Sequence, residues 1–324
     1  MFNKIPKFSG LVPDPYDERD IPLSSVQESI IIPKEFKRDL SAIPIDSQGK
    51  QPACVGYASS KVKESQELYE HKEFIDISPR FIYALCKRYD GYSGQGTYLR
   101  QAMKILQKFG ACKESSFPSD TSLSYEEFIN WDLITPEIYQ EAEKYKIKTY
   151  ASVPADWEQI KQSIYQNKTV LGGQSGTKEG WSQLPIEPPK EGEKLFGHAI
   201  AYFGYDDNYI YFINSWDKGW GNNGIGCFGK NMLPFLFNTW TSVDLETPKD
   251  LIGWVATKYL RQSKGFKIGT KVIPIYNLNL RLNPTTGSQK LITIEKNKEC
   301  EILNDEVVES NGYKWQKIRT TIEE

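Results

Sequence analysis

Two histidines and five cysteines limit where nucleophilic or metal chemistry can reside in this 324-residue chain. His71 lies in YEHKEF among charged neighbours and reads as a surface residue. His198 lies in FGHAIAYFGY, at the head of an apolar strand where an imidazole is costly to bury without a partner. Cys54 follows QGKQPA, with Gly49 and Pro52 breaking the chain just upstream. Beyond it Val55, Ala58, Val62 and Leu68 recur at near-helical spacing, so a helix is expected to begin close to Cys54. A thiol at a helix N-terminus gains from the free N–H groups and the dipole, which favour its thiolate. His198 stands 144 residues beyond Cys54. Asn214, in YFINSWDKGWGNNG, comes another 16 residues on. The intervening FGYDDNY turn returns the chain as an antiparallel neighbour, which brings the Asn214 amide oxygen within reach of the imidazole. Such a bond fixes ring orientation and tautomer, and Trp216 would shield it from water. Gln48, six residues before Cys54, offers a side-chain amide that can join the Cys54 backbone N–H against a developing oxyanion. Nucleophile, base, orienting amide and oxyanion donor in this order describe acyl transfer through a thioester.

These four residues need a framework of two kinds. Helical spacing covers Cys54 to about Glu70, residues 78–88 and residues 97–109, with Gly110 ending the last of these. After about residue 145 the texture changes. IKTYASV, KTVLGGQ, HAIAYFGY, YIYFIN and GIGCFG are β-branched and aromatic, with Gly, Asp and Asn between them. Helices first and strands second predict an α+β fold of two packed lobes with a cleft between them. Residues 1–45, with six prolines, predict an extended arm lying over a domain. Residues 246–265 read as a connector, helical in part. From 266 onward KVIPIY, LNLRL, KLITIEK, CEIL and YKWQKIRTT predict a small all-β module. The expected domains are therefore 1–245, a 246–265 linker and 266–324.

The blocks QGKQPACVGYAS, GHAIAYFG and INSWDKGWGNNG resemble the papain-like (C1) cysteine peptidases over roughly residues 10–245. The resemblance implies a two-lobed peptidase in which Cys54 is the nucleophile and His198 the base. Asn214 then takes the orienting role and Gln48 the oxyanion role. Gly94 and Gly96 fall near the family's glycine-rich substrate wall. Gly197, with Phe196 and Ala199 flanking His198, completes the candidate substrate-contact residues. Two departures stand out. Val55 replaces the family's tryptophan after the nucleophile, and Gln51 replaces a cysteine that forms a disulfide in most members. The first 45 residues leave no room for the family's long helical propeptide. The C-terminal LNLRLNPTTGSQ…NGYKWQKIR is similar to bacterial SH3 domains, which implies a cell-wall or protein ligand for that module.

Composition narrows the alternatives. A net charge of −2 gives no field for nucleic acid or anionic membranes. No stretch approaches the roughly 20 apolar residues of a membrane span, and the N-terminus lacks the apolar core of a secretory signal. An odd number of cysteines without CxxC pairs suggests neither a disulfide framework nor a zinc site, and the chemistry requires no cofactor. Cys86, Cys112, Cys227 and Cys300 read as small core residues. The expectation is a cytoplasmic enzyme acting on peptide or protein substrates. Two alternatives stand beside it. One is a bacterial or phage cell-wall peptide hydrolase, targeted by the SH3-like module and released by lysis. The other is an inactive peptide-binding relative.

Overall fold

The computed structural model describes residues 10–25, 27, 30–243, 250–256, 260–261, 271–274, 277–288, 290–296, 298–303 and 307–321. The chain divides into two compact units. The first comprises residues 1–15 and 30–243; the second comprises 16–29 and 244–324.

In the first unit the helices come early: α1 (Cys54–Glu70), α2 (Pro79–Tyr89), α3 (Leu99–Lys108), then the short α4 (Tyr125–Phe128) and α5 (Pro136–Ala142), with α6 (Trp157–Asn167) following among the strands. Every residue of α1 from Cys54 to Glu67 is buried, so this helix is enclosed on all sides. Its buried charges are paired, as burial demands. Lys61 meets Glu64 at 2.8 Å and Asp46 at 2.6 Å, and Lys63 meets Glu67 at 2.5 Å. Burial nevertheless lifts the Glu64 carboxyl to about 7. Ser78 caps α2 by accepting the Phe81 N–H, and Pro79 fills the first helical position, where its missing N–H costs nothing.

The strands are β1 (Phe36–Lys37), β2 (Thr149–Ser152), β3 (Val170–Gly176), β4 (Phe196–Tyr205), β5 (Ile210–Ile213), β6 (Ile225–Phe228) and β7 (Leu236–Val243). They form one antiparallel sheet in the order β2-β7-β3-β4-β5-β6, with β1 added to β4. The sequence-predicted strands all occur. β7 was not anticipated; its NTWTSV alternation lies beyond the motif-bearing stretch and fills the gap between β2 and β3. Val55, Ala58 and Val62 on α1 share a core with Phe81, Leu99 and Met103 and with Leu171 and Ala201 of the sheet. Helix α1 thus lies against β4, the strand that carries His198.

The second unit is all-β in its described strands: β8 (Asp250–Ala256), β9 (Leu260–Arg261), β10 (Lys271–Pro274), β11 (Leu278–Arg281), β12 (Lys290–Ile294), β13 (Cys300–Ile302), β14 (Val308–Ser310) and β15 (Tyr313–Thr321). Their order is β12-β11-β8-β15-β13-β10-β9, with β14 on β15. The expected 246–265 linker is corrected here. Residues 250–256 form β8, paired with β15 from Asp250–Thr321 to Ala256–Trp315 and touching β11 at Trp254–Arg281. The run DLIGWVA satisfies helical and alternating spacing alike, and long-range pairing decides between them. The rest of that linker, residues 246–249, 257–259 and 262–265, lies outside the described residues. The 1–45 arm is likewise shared, since 16–29 cluster with the second unit.

Gly56 sets how closely α1 approaches α2: a Cβ there would stand 2.4 Å from the Pro79 carbonyl oxygen. Gly56→Ala is expected to lower unfolding free energy by roughly 1–3 kcal/mol, the range for overpacked cores. Urea denaturation reads this directly; unchanged stability would mean the helices part without cost.

Candidate active site

Cys54 opens α1 behind Ala53, which makes no side-chain cap, so no cap competes for the N–H groups of the first turn. Its sulfur is fully buried and accepts the Gly10 N–H at 3.3 Å. Ala199 of β4 packs in the same core as Cys54. Ala199 follows His198 on β4, so the sulfur and the imidazole stand on facing elements.

The hairpin of β4 and β5 delivers Asn214 just past the end of β5, where its N–H donates to Gly224 at 2.9 Å. Its Oδ1 accepts the Ser215 backbone N–H at 2.8 Å. A backbone N–H can only donate, so the orientation of this amide is fixed. The same Oδ1 lies 2.8 Å from His198 Nε2. Nε2 must therefore carry the proton, and Nδ1 keeps a lone pair. That nitrogen has no hydrogen-bond partner among the described residues. Trp216 covers the imidazole with a ring separation of 4.5 Å.

Gln48 is pinned to the same turn. Its Oε1 accepts the Ser215 hydroxyl at 2.7 Å, its Nε2 donates to Gln51 at 2.9 Å, and its backbone N–H donates to Ser215 at 2.9 Å. Burial governs the protonation of the pair. It raises the Cys54 thiol to about 11 and, against the Asn214 hydrogen bond, lowers His198 to about 4. At neutral pH both groups are uncharged in this covered state.

What covers them is the arm. Gly10 and Leu11 run beside Thr97 in a parallel bridge: the Thr97 N–H donates to Gly10, and the Val12 N–H donates to Thr97, each at 2.9 Å. A Cβ on Gly10 would fall 1.6 Å from the Pro52 oxygen, so only glycine passes this point. Leu11, 7% exposed, joins the core formed by Cys54, Leu99, Leu171 and Ala199. Asp14 fastens the arm by accepting the Trp240 indole N–H at 2.7 Å and the Arg100 N–H at 3.1 Å, while its own N–H donates to Asn238 at 2.7 Å.

The five substrate-contact candidates fall in different places. Gly96 and Gly197 line the arm's track, where added Cβ atoms would meet the Gly10 and Leu11 carbonyls at 3.0 and 2.7 Å. Ala199 shares the core cluster of Leu11 and Cys54. Phe196 packs edge-on against Trp181 and Trp216, behind the imidazole. Gly94 instead faces the Tyr92 ring. The sequence reading did not single out Trp181, whose ring meets His198 edge-on at 5.3 Å and Trp216 at 5.3 Å. It sits in EGWSQLP, which carries no motif. The alternation of FNTWTSV is the one signal that could have found Trp240, and it was not read as a strand.

Comparison with known proteins bears on the family and the fold. The family model described as papain family cysteine protease matches residues 33–232. Peptidase 1 of the mite Dermatophagoides farinae is 24% identical over 219 residues, 63% of this chain and 64% of that protein. The chain thus spans just under two thirds of the length of that relative. Among solved structures, xylellain, a cysteine protease from Xylella fastidiosa, aligns over 74% of this chain and 97% of its own with a TM-score of 0.65 and 21% identity. Digestive procathepsin L 3 of Tenebrio molitor larval midgut aligns over 70% and 74% with a TM-score of 0.56 and 16% identity. At those identities the likeness establishes the fold.

The depressed His198 pKa has a consequence for stability. Between about 6.5 and about 4 the unfolded chain takes up a proton at this residue and the folded chain does not. Stability should therefore fall as pH drops through that window, by up to about 1.4 kcal/mol per pH unit from this group. Urea midpoints from pH 7 to 4.5 should show a shallower slope in His198→Ala than in the natural chain; equal slopes would contradict the buried neutral imidazole.

Proposed function

The chain belongs to the papain family of cysteine proteases, and from that premise we propose that it is a cysteine peptidase kept latent by its own N-terminal arm. The observation that carries the reading is the tautomer imposed on His198, which leaves Nδ1 bare beside the element that holds Cys54. A bare Nδ1 can take the thiol proton. The Cys54 sulfur then attacks the substrate carbonyl carbon, and the electron pair of the C=O bond moves to oxygen. Gln48 Nε2 and the Cys54 N–H are the donors for that oxyanion. Collapse breaks the C–N bond, and the imidazolium gives its proton to the leaving amine. His198 next draws a proton from water, whose oxygen displaces the sulfur and releases the acid.

Latency follows from the arm. Gly10 donates its N–H to the sulfur, Leu11 fills the apolar recess beside Leu99 and Leu171, and the burial they impose holds thiol and imidazole neutral. The recess itself favours a branched aliphatic side chain in a substrate, since that is what Leu11 places there.

Two substitutions in the full chain test the two parts. Cys54→Ala should abolish hydrolysis of a peptide amide while leaving the fold intact; retained turnover would reject the nucleophile. Leu11→Asp places a carboxylate in an apolar recess, a cost of several kcal/mol that should expel the arm. Hydrolysis should then rise at least about tenfold, with rapid alkylation of Cys54 near pH 5.5, where an ion-paired thiolate reacts and an ordinary thiol does not. A Leu11→Asp protein no faster than its parent would show that the arm does not restrain the enzyme.

A further inference from the structure

The second unit holds a cleft of about 330 Å³, at the small end of ligand pockets, which run from roughly 300 to 1,000 Å³. Asn277, Asn279 and Arg281 alternate along β11 and its lead-in, so their side chains share one face of the sheet and line the cleft together. Trp315 and Tyr313 of β15, with rings 6.1 Å apart, form its aromatic side. The Trp315 indole is held in place by its N–H bond to Ser310 at 3.0 Å.

The polar lining consists of donors. Arg281 spends one N–H of Nη1 on the Ser288 carbonyl at 2.6 Å, and no carboxylate pairs with it among the described residues. Asn277 Oδ1 accepts the Lys296 N–H at 2.9 Å, which fixes the amide and leaves its NH₂ without an acceptor among the described residues. Asn279 turns its Oδ1 to the Thr293 hydroxyl at 3.1 Å. A guanidinium presents a planar fork matched to a carboxylate. One fork and no lysine in the lining suits a single negative charge better than a phosphate dianion. The aromatic side takes an apolar group next to that charge.

We propose that this cleft binds the free C-terminal end of a short peptide, with the terminal carboxylate on Arg281 and the last side chain against Trp315 and Tyr313. The Asn277 amide is then placed to donate to a peptide carbonyl. The proposal stands independently of the peptidase reading. Where that reading holds, each cut releases a fragment ending in a carboxylate, so the enzyme's own products belong to the ligand class.

Full-length Cys54→Ala protein, which cannot turn over substrate, separates the two questions. Binding of N-acetyl-alanyl-leucine, its C-terminal amide and inorganic phosphate is measured by isothermal titration and by tryptophan fluorescence. The free acid is expected to bind at least tenfold more tightly than the amide and more tightly than phosphate. Adding Arg281→Gln should erase the preference for the acid. Asn279→Asp keeps the acceptor for Thr293 but sets a carboxylate two residues from Arg281 on the same strand face, and it should weaken acid binding about tenfold or more even if Arg281→Gln fails to fold. Equal affinity for acid and amide, tighter binding of phosphate, or a preference that survives both substitutions would overturn the assignment.

Discussion

One side-chain oxygen, Oδ1 of Asn214, decides whether the rest of the site can work. Because it accepts a backbone N–H from Ser215, it cannot rotate away to become a donor, and the proton of His198 is forced onto Nε2. Every other element is arranged around that constraint. The β4–β5 hairpin brings the asparagine back to the histidine, and the sheet presents β4 to α1. Helix α1, buried from Cys54 to Glu67, then sets Cys54 opposite. Gln48 hangs from Ser215, so the proposed oxyanion donor and the amide that orients His198 share one turn. An error of an ångström in that turn would misplace both at once.

Two opposing electrostatic effects meet at the sulfur, and their sizes decide the resting state. A helix N-terminus stabilises an anion by about 0.3–1 kcal/mol, up to roughly 2 in partly buried geometry. Burial that raises the thiol to about 11 works against the thiolate by roughly 3 kcal/mol. Desolvation wins while the arm is seated. The same burial depresses the imidazole, so the ion pair is opposed from both partners. Removing the cover takes away the larger effect and leaves the helix terminus and the imidazole acting in the same direction.

Much of the catalytic core was legible in the sequence because its signals are local. A glycine–proline break before an apolar helical run placed Cys54. A turn-bounded pair of apolar strands placed His198 beside Asn214, and scarcity of histidine removed competitors. The parts that were not legible depend on long-range partners. DLIGWVA fits helix and strand spacing alike until β15 is known to lie beside it. Gly94 and Gly96 look alike as sequence, yet only Gly96 abuts the arm. Trp181 acquires its meaning from contact with His198, and nothing in its own neighbourhood announces that contact.

The arm shows the same limit from the other side. Its prolines mark an extended segment, but prolines do not say which groove the segment enters. That is settled by three separate fits: a glycine where no Cβ can pass, a leucine for an apolar recess, and a carboxylate that meets an indole N–H and a backbone N–H at the start of α3. Each is weak alone. Together they fix the register of the arm, since sliding it by one residue would drive the Leu11 side chain into the Pro52 carbonyl and take Asp14 away from Trp240. The register that results sets the Gly10 N–H against the sulfur, with the Leu11 side chain in the apolar recess beside it.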